Sequence, residues 1–410
     1  MEKEPLIFGG NGENMKLIIY LFPVMINFIA SGVFFYVTQR FVDAGASKLL
    51  TAMVIPTWAI TYCISNVIIG KIVKPENAAR LIVYGGVIIA ASALGFIFLN
   101  QQLFLLLAWT GLLGIGFGFY CSSFQVWCRE LEQNSSSGIA MATGKYTMAW
   151  SLGFASGALT FGLLNAALAF SVCFAVGVLV AVGVSLIDCY LKKHPAVPAA
   201  LADNADLPSA ADAVVSKFPD YAWVGWIVGG IVSLAVNQLR SMLQVHGDAI
   251  GIVNNKETMA FTLMTVSLVQ GTTALFLVKS RIWMYKLLPL ILIALTGAVS
   301  MAFLGVVRSL AGFLLTAFVY GIYSGCGYFI FVFYALANRE KAGRNAAINE
   351  ISVSIVSIAG PMLGGLLVDT TGISWTPFAM ASGMIILAAI FHTVVFSSDK
   401  RRKIALNEVE

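Results

Sequence analysis

"LKKHPAVPAALADNADLPSAADAVVSKFPD", residues 191–220, is the longest stretch of the chain without a long apolar run, and it decides the fold. It is rich in Ala, Asp and Pro, a composition typical of a flexible linker. Six long apolar runs precede it and six follow it. The segment therefore predicts two halves with equal numbers of helices, joined by a linker.

The composition requires lipid as the main solvent of the chain. Of its 410 residues, 59% are hydrophobic and 11% are charged, whereas soluble domains have roughly 25% charged residues. A soluble fold could not hide that much apolar surface, because much of any fold faces its solvent. The net charge of +5 does not indicate a nucleic-acid partner, since the basic residues fall in short gaps between the apolar runs. We expect a protein embedded in a lipid bilayer.

Twelve apolar runs are long enough to cross a membrane, which takes about 20 mainly apolar residues. Their approximate ranges are 15–38, 48–70, 80–99, 102–127, 138–163, 166–190, 221–245, 256–278, 285–306, 310–336, 344–368 and 373–397. The sequence thus predicts an all-α membrane protein with twelve transmembrane helices in two pseudo-symmetric six-helix bundles. The expected bundles are 15–190 and 221–397, with the linker at 191–220 and tails at 1–14 and 398–410.

Lysine and arginine predict the orientation of the chain. Nineteen of the 25 lie in the tails, the linker and the loops on the side of the N-terminus, and four lie in the loops of the other side. Cytoplasmic loops carry such an excess of positive charge. We expect both termini and the linker to be cytoplasmic, in a plasma (inner) membrane.

Glycines repeat between the halves at an offset of about 207 residues. Pairs four residues apart recur in the fourth helix of each half and again in the fifth helix. Such pairs let membrane helices approach closely. The predicted packing glycines are Gly114, Gly118, Gly153, Gly157, Gly321, Gly325, Gly360 and Gly364.

This layout resembles the major facilitator superfamily over residues 15–397. The resemblance rests on the two sets of six helices, the cytoplasmic linker, the internal repeat and "GPMLGGLLVDTTG" at 360–372. Lys74 stands where the family's loop motif has an aspartate, and "WSLGFASGA" at 150–158 lacks the proline of the antiport motif, which disfavours drug/proton antiport. The resemblance implies a monomeric secondary transporter that moves a small solute by alternating access.

Two other interpretations stay open, and an enzyme is not expected. The alternatives are a drug- or lipid-efflux protein of the same fold, and a transport-inactive membrane receptor or scaffold. "GIGFG" at 114–118 lies in the middle of a span and follows no strand, so it does not indicate a nucleotide site. The six cysteines show no metal-binding spacing. We expect no catalytic residue, no cofactor and no metal.

Three ionisable residues lie clearly inside spans, where such groups are candidates for function. Glu350 is the only acid among them and is the predicted proton-coupling residue. Lys145 and Arg240 could instead extend to the lipid headgroups, and Glu350 could form a structural ion pair. Because Lys145 and Glu350 lie at similar depth in the fifth helix of each half, we expect them to form a gate pair in the outward-open state.

Other polar residues are expected to face a central cavity. In the family resembled, the first and fourth helices of each half line that cavity, with the second and fifth beside them. A mixture of amides, cations and one aromatic residue favours a small anionic or polyhydroxy solute, with protons as the coupled ion. The candidate substrate-binding residues are Asn27, Gln125, Lys145, Trp150, Asn237, Gln238, Arg240 and Gln270.

Overall fold

The computed structural model describes residues 12–99, 102–132, 139–193, 221–252, 254–280, 283, 286–337 and 342–398, and within them thirteen helices. The helices of the first half are α1 (Gly12–Asp43), α2 (Lys48–Ala52), α3 (Val54–Ile72), α4 (Pro75–Phe98), α5 (Leu103–Glu132), α6 (Ile139–Leu163) and α7 (Ala166–Lys193). Those of the second half are α8 (Ala222–Ala249), α9 (Asn255–Lys279), α10 (Leu287–Leu304), α11 (Leu310–Ala337), α12 (Ala342–Thr371) and α13 (Thr376–Ser398). Among these residues the predicted all-α class is confirmed, and each of the twelve predicted spans corresponds to a long helix or, for the second, to two successive helices.

The second span differs from its prediction because the structure divides it into α2 and α3 at Met53. Pro56 lies in the first turn of α3. A proline has no backbone N–H, and its ring clashes with the carbonyl of the residue four positions earlier, which here is Ala52. The chain therefore starts a new helix after Ala52 instead of continuing the first one.

Eleven of the described spans are long and apolar enough to cross a membrane. The sixth helix in the chain, α6, is absent from that set because Lys145, several glycines and several hydroxyl residues lower its hydropathy. Large apolar side chains such as Phe98, Phe104 and Phe276 are about three-quarters exposed on the outside of the bundle. The chain is a multi-pass integral membrane protein.

Glycines on the fourth span of each half face the second span of the same half. A Cβ added at Gly118 on α5 would lie 3.1 Å from the backbone nitrogen of Asn66 on α3. A Cβ added at Gly325 on α11 would lie 2.5 Å from the carbonyl oxygen of Gln270 on α9. Gly114 and Gly321 face the same neighbouring helices one turn away.

The fifth span of each half packs in the same way against the first span. A Cβ at Gly153 on α6 would lie 2.9 Å from the backbone nitrogen of Phe28 on α1. A Cβ at Gly360 on α12 would lie 2.9 Å from the carbonyl oxygen of Leu234 on α8. Gly157 and Gly364 continue these two contacts. The two halves thus repeat the same pairs of closely packed helices.

The antiparallel helices define two faces of the bundle. We call the face where α1 and α8 begin the terminal face, and the face where they end the far face. The predicted domain boundaries stay a prediction, because residues 194–220 of the linker, 1–11 and 399–410 lie outside the described residues.

Candidate transport site

Helices of the two halves meet along two sides of the bundle. On one side α6 packs against α9, from Gly144 beside Val278 near the terminal face to Gly162 beside Ala260 near the far face. On the other side α2 and α3 pack against α12. These contacts enclose a central region in which most of the predicted site residues lie.

Glu350 on α12 accepts hydrogen bonds from the opposite half of the protein. The Tyr62 hydroxyl on α3 donates to Glu350 Oε2 at 2.7 Å, and Gln125 Nε2 on α5 donates to Glu350 Oε1 at 3.0 Å. Each carboxylate oxygen therefore has a donor, and both donors come from the first half. This carboxyl group links three helices and both halves.

Lys145 lies apart from this cluster in the present conformation. Its side chain is exposed, and the ion pair found among the described residues joins Lys192 to Asp188 within α7 at 2.7 Å. The Lys145–Glu350 gate pair was expected for an outward-open state. It stays a prediction for that state.

Arg240 on α8 turns inward rather than toward the far face. Its Cζ lies 3.7 Å from the centroid of the Phe154 ring on α6, in the geometry of a cation–π contact. Its Nη1 donates to Asn237 Oδ1 at 3.3 Å, and its Nη2 is buried without a hydrogen-bond partner. The side chain thus bridges the two halves and does not extend to the headgroups.

Aromatic residues form a second bridge between the halves. Trp150 on α6 meets the ring of Tyr328 on α11 edge to face, with centroids 4.8 Å apart. It also contacts Phe154, with centroids 5.8 Å apart. Trp150 therefore adds a contact of α6 with the second half beside the contact that Phe154 makes with Arg240.

Gln270 on α9 joins three helices through its amide. Its Nε2 donates to the Ser151 hydroxyl at 2.8 Å, and its Oε1 accepts from the Ser324 hydroxyl of α11. Both side-chain ends of this buried residue are satisfied. It therefore fixes α6 against the second half rather than presenting a free amide.

Three further candidates make contacts within their own half. Asn237 Nδ2 donates to the Ser357 hydroxyl at 2.7 Å, and Gln238 Nε2 donates to the Pro377 carbonyl at 2.9 Å. Asn27 Nδ2 donates to the carbonyl of Pro23 in its own helix at 2.8 Å. Gln125, Trp150, Arg240, Gln270 and Glu350 are the candidates that the structure brings to contacts between the halves.

The far face is closed by contacts between the halves. The backbone N–H groups of Lys48 and Leu49, at the start of α2, donate to the two carboxylate oxygens of Asp369 on α12 at 2.9 Å each. Gln244 Nε2 on α8 donates to the Phe35 carbonyl on α1 at 3.1 Å. Any opening of the far face must break these bonds.

Sequence reasoning missed the partners of the charged residues. Tyr62 donates a hydrogen bond to Glu350, the Phe154 ring lies against Arg240, and Tyr328 contacts Trp150. Aromatic residues commonly pack between transmembrane helices, so their presence in a span does not by itself indicate a functional role. One feature of the sequence could have indicated a role for Tyr62. It lies in the second span of the first half, and the major facilitator superfamily places that helix beside the central cavity.

Comparison with known proteins rests on structure, because no protein-family profile and no curated protein matches the sequence. The crystal structure of the nucleoside transporter NupG superimposes with a TM-score of 0.64 at 14% identity, covering 95% of this chain and all of NupG. The two proteins share one fold. A point mutant of NupG superimposes with a TM-score of 0.61 at 13% identity, covering 93% of this chain and 99% of the mutant.

No metal site stands out in the part of the chain that the structure describes. There, no three residues among histidine, cysteine, aspartate and glutamate come together in a group that could hold an ion. In the central region, the described polar groups that lie between the halves are amides, hydroxyls, the Glu350 carboxylate and the Arg240 guanidinium. These groups suit hydrogen bonding to an organic solute.

Proposed function

We propose that this protein is a secondary transporter that moves a small polar solute across a membrane by alternating access. The observation that carries the proposal is the band of polar and aromatic contacts between the two halves, formed by Gln125, Trp150, Arg240 and Glu350. In transporters built from structural repeats, the solute site lies near the midplane at the interface of the repeats.

The bonds at the far face support a two-state mechanism. Residues such as Asp369 and Gln244 close that face through hydrogen bonds that cross between the halves. In this proposal the far face is the outer one, as the distribution of lysine and arginine in the sequence predicts. In this proposal the present conformation is closed to the outside, and breaking these bonds gives the outward-open state.

The solute is small and polar in this proposal. Trp150 offers an aromatic face for stacking, while Gln125 and Glu350 offer hydrogen-bonding groups. NupG, the neighbour in fold, is a nucleoside transporter, so nucleosides are the first class to test. A lipid or lipophilic drug fits less well, because α6–α9 and α3–α12 contacts close the bundle sideways.

Proton coupling is assigned to Glu350 in this proposal. The sequence predicts it to be the one acid well inside a span, and its donors Tyr62 and Gln125 both lie in the opposite half. A carboxyl group whose partners change as the halves move can bind a proton in one state and release it in the other. The gate pair of Lys145 with Glu350 in the outward-open state belongs to the same proposal.

Transport is tested in two steps. Purified protein is screened by thermal unfolding against nucleosides, sugars, carboxylates and amino acids, because a ligand of the folded state raises its apparent stability. The solute with the largest shift is then used for counterflow into proteoliposomes. We expect counterflow in the wild type, a large loss in Trp150→Ala and little change in Trp375→Ala, whose side chain is exposed. Binding without counterflow would favour the receptor alternative and refute the proposal.

A further inference from the structure

Arg240 is a cation without an acidic partner in the interior of the bundle. Among the residues that the structure describes, no carboxylate forms an ion pair with it. Its contacts are the Phe154 ring and a 3.3 Å hydrogen bond to Asn237 Oδ1. A charged group that becomes buried loses its hydration, which costs free energy. Such a group is therefore normally ion-paired or hydrogen-bonded on all sides.

Two groups near Arg240 that can donate have no hydrogen-bond partner, whereas Gln244 Oε1, one turn further along α8, is an acceptor without one. The Nη2 of Arg240 is buried and has no partner, and the buried hydroxyl of Tyr320 on α11 also has none. Tyr320 lies close enough to Arg240 to interact with it electrostatically. The nearby Ser31 hydroxyl already donates to the Phe154 carbonyl at 2.6 Å, so that its oxygen is left to accept. A ligand that satisfies the free Nη2 of Arg240 must bring an acceptor.

Arg240 also borders a cavity between the halves of about 10 Å³, which has room for one water in the present conformation, so that a solute enters it only when the halves move apart. Residues of α1, α8 and α9 line this space: Ser31, Phe34, Phe35, Arg240, Leu263 and Ser267. Among these lining residues, the Arg240 guanidinium is the one charged group. A guanidinium presents parallel N–H donors that match the two oxygens of a carboxylate or phosphate.

We propose that Arg240 is the anion-binding residue of the transport site, so that the solute carries a carboxylate or phosphate group. This inference rests on the proposed function and narrows its solute class. The Arg240–Phe154 contact crosses between α8 and α6. An anion that draws the guanidinium away from the ring weakens a contact between the halves, which couples solute binding to their movement.

Matched pairs of solutes test the charge requirement. The purified full chain is titrated with uridine and uridine 5′-monophosphate, glycerol and glycerol 3-phosphate, and propanol and propionate, with chloride in a separate arm. Binding is followed by thermal unfolding at constant ionic strength. For at least one pair we expect the anion to bind tenfold or more tightly than its neutral partner, as a bidentate contact would give.

Variants of Arg240 connect that preference to this side chain. Arg240→Gln should reduce the preference to less than about threefold, and Arg240→Lys should leave an intermediate value because lysine lacks the fork. Arg308→Gln is the control, since Arg308 is exposed and should not affect the preference. Each variant must elute as a single species in size-exclusion chromatography. If Arg240→Gln does not, the preference measured for Arg240→Lys is compared with that of the wild type instead.

Several outcomes would overturn the proposal. The first three are equal binding of the neutral and anionic solutes of every pair, no binding of any anion, and a preference for the anion that survives in Arg240→Gln. The fourth is a shift in unfolding temperature with chloride as large as that with the organic anions, which would make Arg240 a site for a simple counter-ion. Failure of the proposed function gives a different result. In that case anion binding depends on Arg240, yet no solute moves in counterflow.

Discussion

Removing the Asp369 carboxylate should open the far face. In Asp369→Ala, the start of α2 loses both 2.9 Å bonds that its backbone N–H groups donate across to α12. Loss of a capping side chain costs about 1 kcal/mol, and loss of a negative charge at an exposed helix N-terminus costs about 0.3–1 kcal/mol. A total of about 1–2 kcal/mol shifts the ratio of closed to open far face by a factor of roughly 5–30.

The shift can be measured without knowing the solute. Spin labels at the exposed positions Ala44 and Asp248, in a cysteine-free background, report the distance between the halves at the far face by double electron–electron resonance. We expect a longer-distance population to grow in Asp369→Ala. Asp188→Ala is the matched control, because Asp188 pairs with Lys192 within one helix. A distance distribution in Asp369→Ala that matches the wild type would refute the reasoning.

Two further predictions follow from packing and from charge. Gly157→Ala should lower the midpoint of thermal unfolding, at a cost of about 1–3 kcal/mol, because its Cβ would lie 2.9 Å from the backbone nitrogen of Gly32. Gly70→Ala, with no atom within 4 Å of its Cβ, should leave the midpoint unchanged or slightly raised, and equal midpoints for the two variants would contradict this account. If Lys145 and Glu350 pair in the outward-open state, Lys145→Glu alone should impair counterflow and the double variant Lys145→Glu with Glu350→Lys should restore part of it. A double variant no better than either single one would end the gate hypothesis.

The fold could be predicted from the sequence because lipid imposes a simple requirement on it. Each crossing needs a long apolar helix, and the linker at 191–220 separates two equal sets of such runs. The break at Met53 could not be predicted in the same way. Pro56 counts as one more residue of an apolar run, and its effect on the helix depends on the backbone geometry before it.

The candidate site could be predicted in part. Ionisable residues in spans are few, so Glu350 and Arg240 stand out in the sequence. Their partners do not, since Tyr62 lies 288 residues from Glu350 along the chain. The direction of Arg240 was equally undetermined, because an arginine at that depth can reach the headgroups or stack on a ring such as Phe154.

Proton-driven accumulation in proteoliposomes tests the central claim most directly. With the solute identified by the unfolding screen and an imposed pH gradient, the wild type should accumulate that solute above its equilibrium level. Glu350→Gln should still exchange solute, because a carboxamide has the same size: its oxygen can accept from Tyr62, and its NH₂ can donate to the Gln125 amide oxygen after that amide flips. It should not accumulate solute, because the amide binds no proton. Accumulation by Glu350→Gln at the wild-type level would contradict the account.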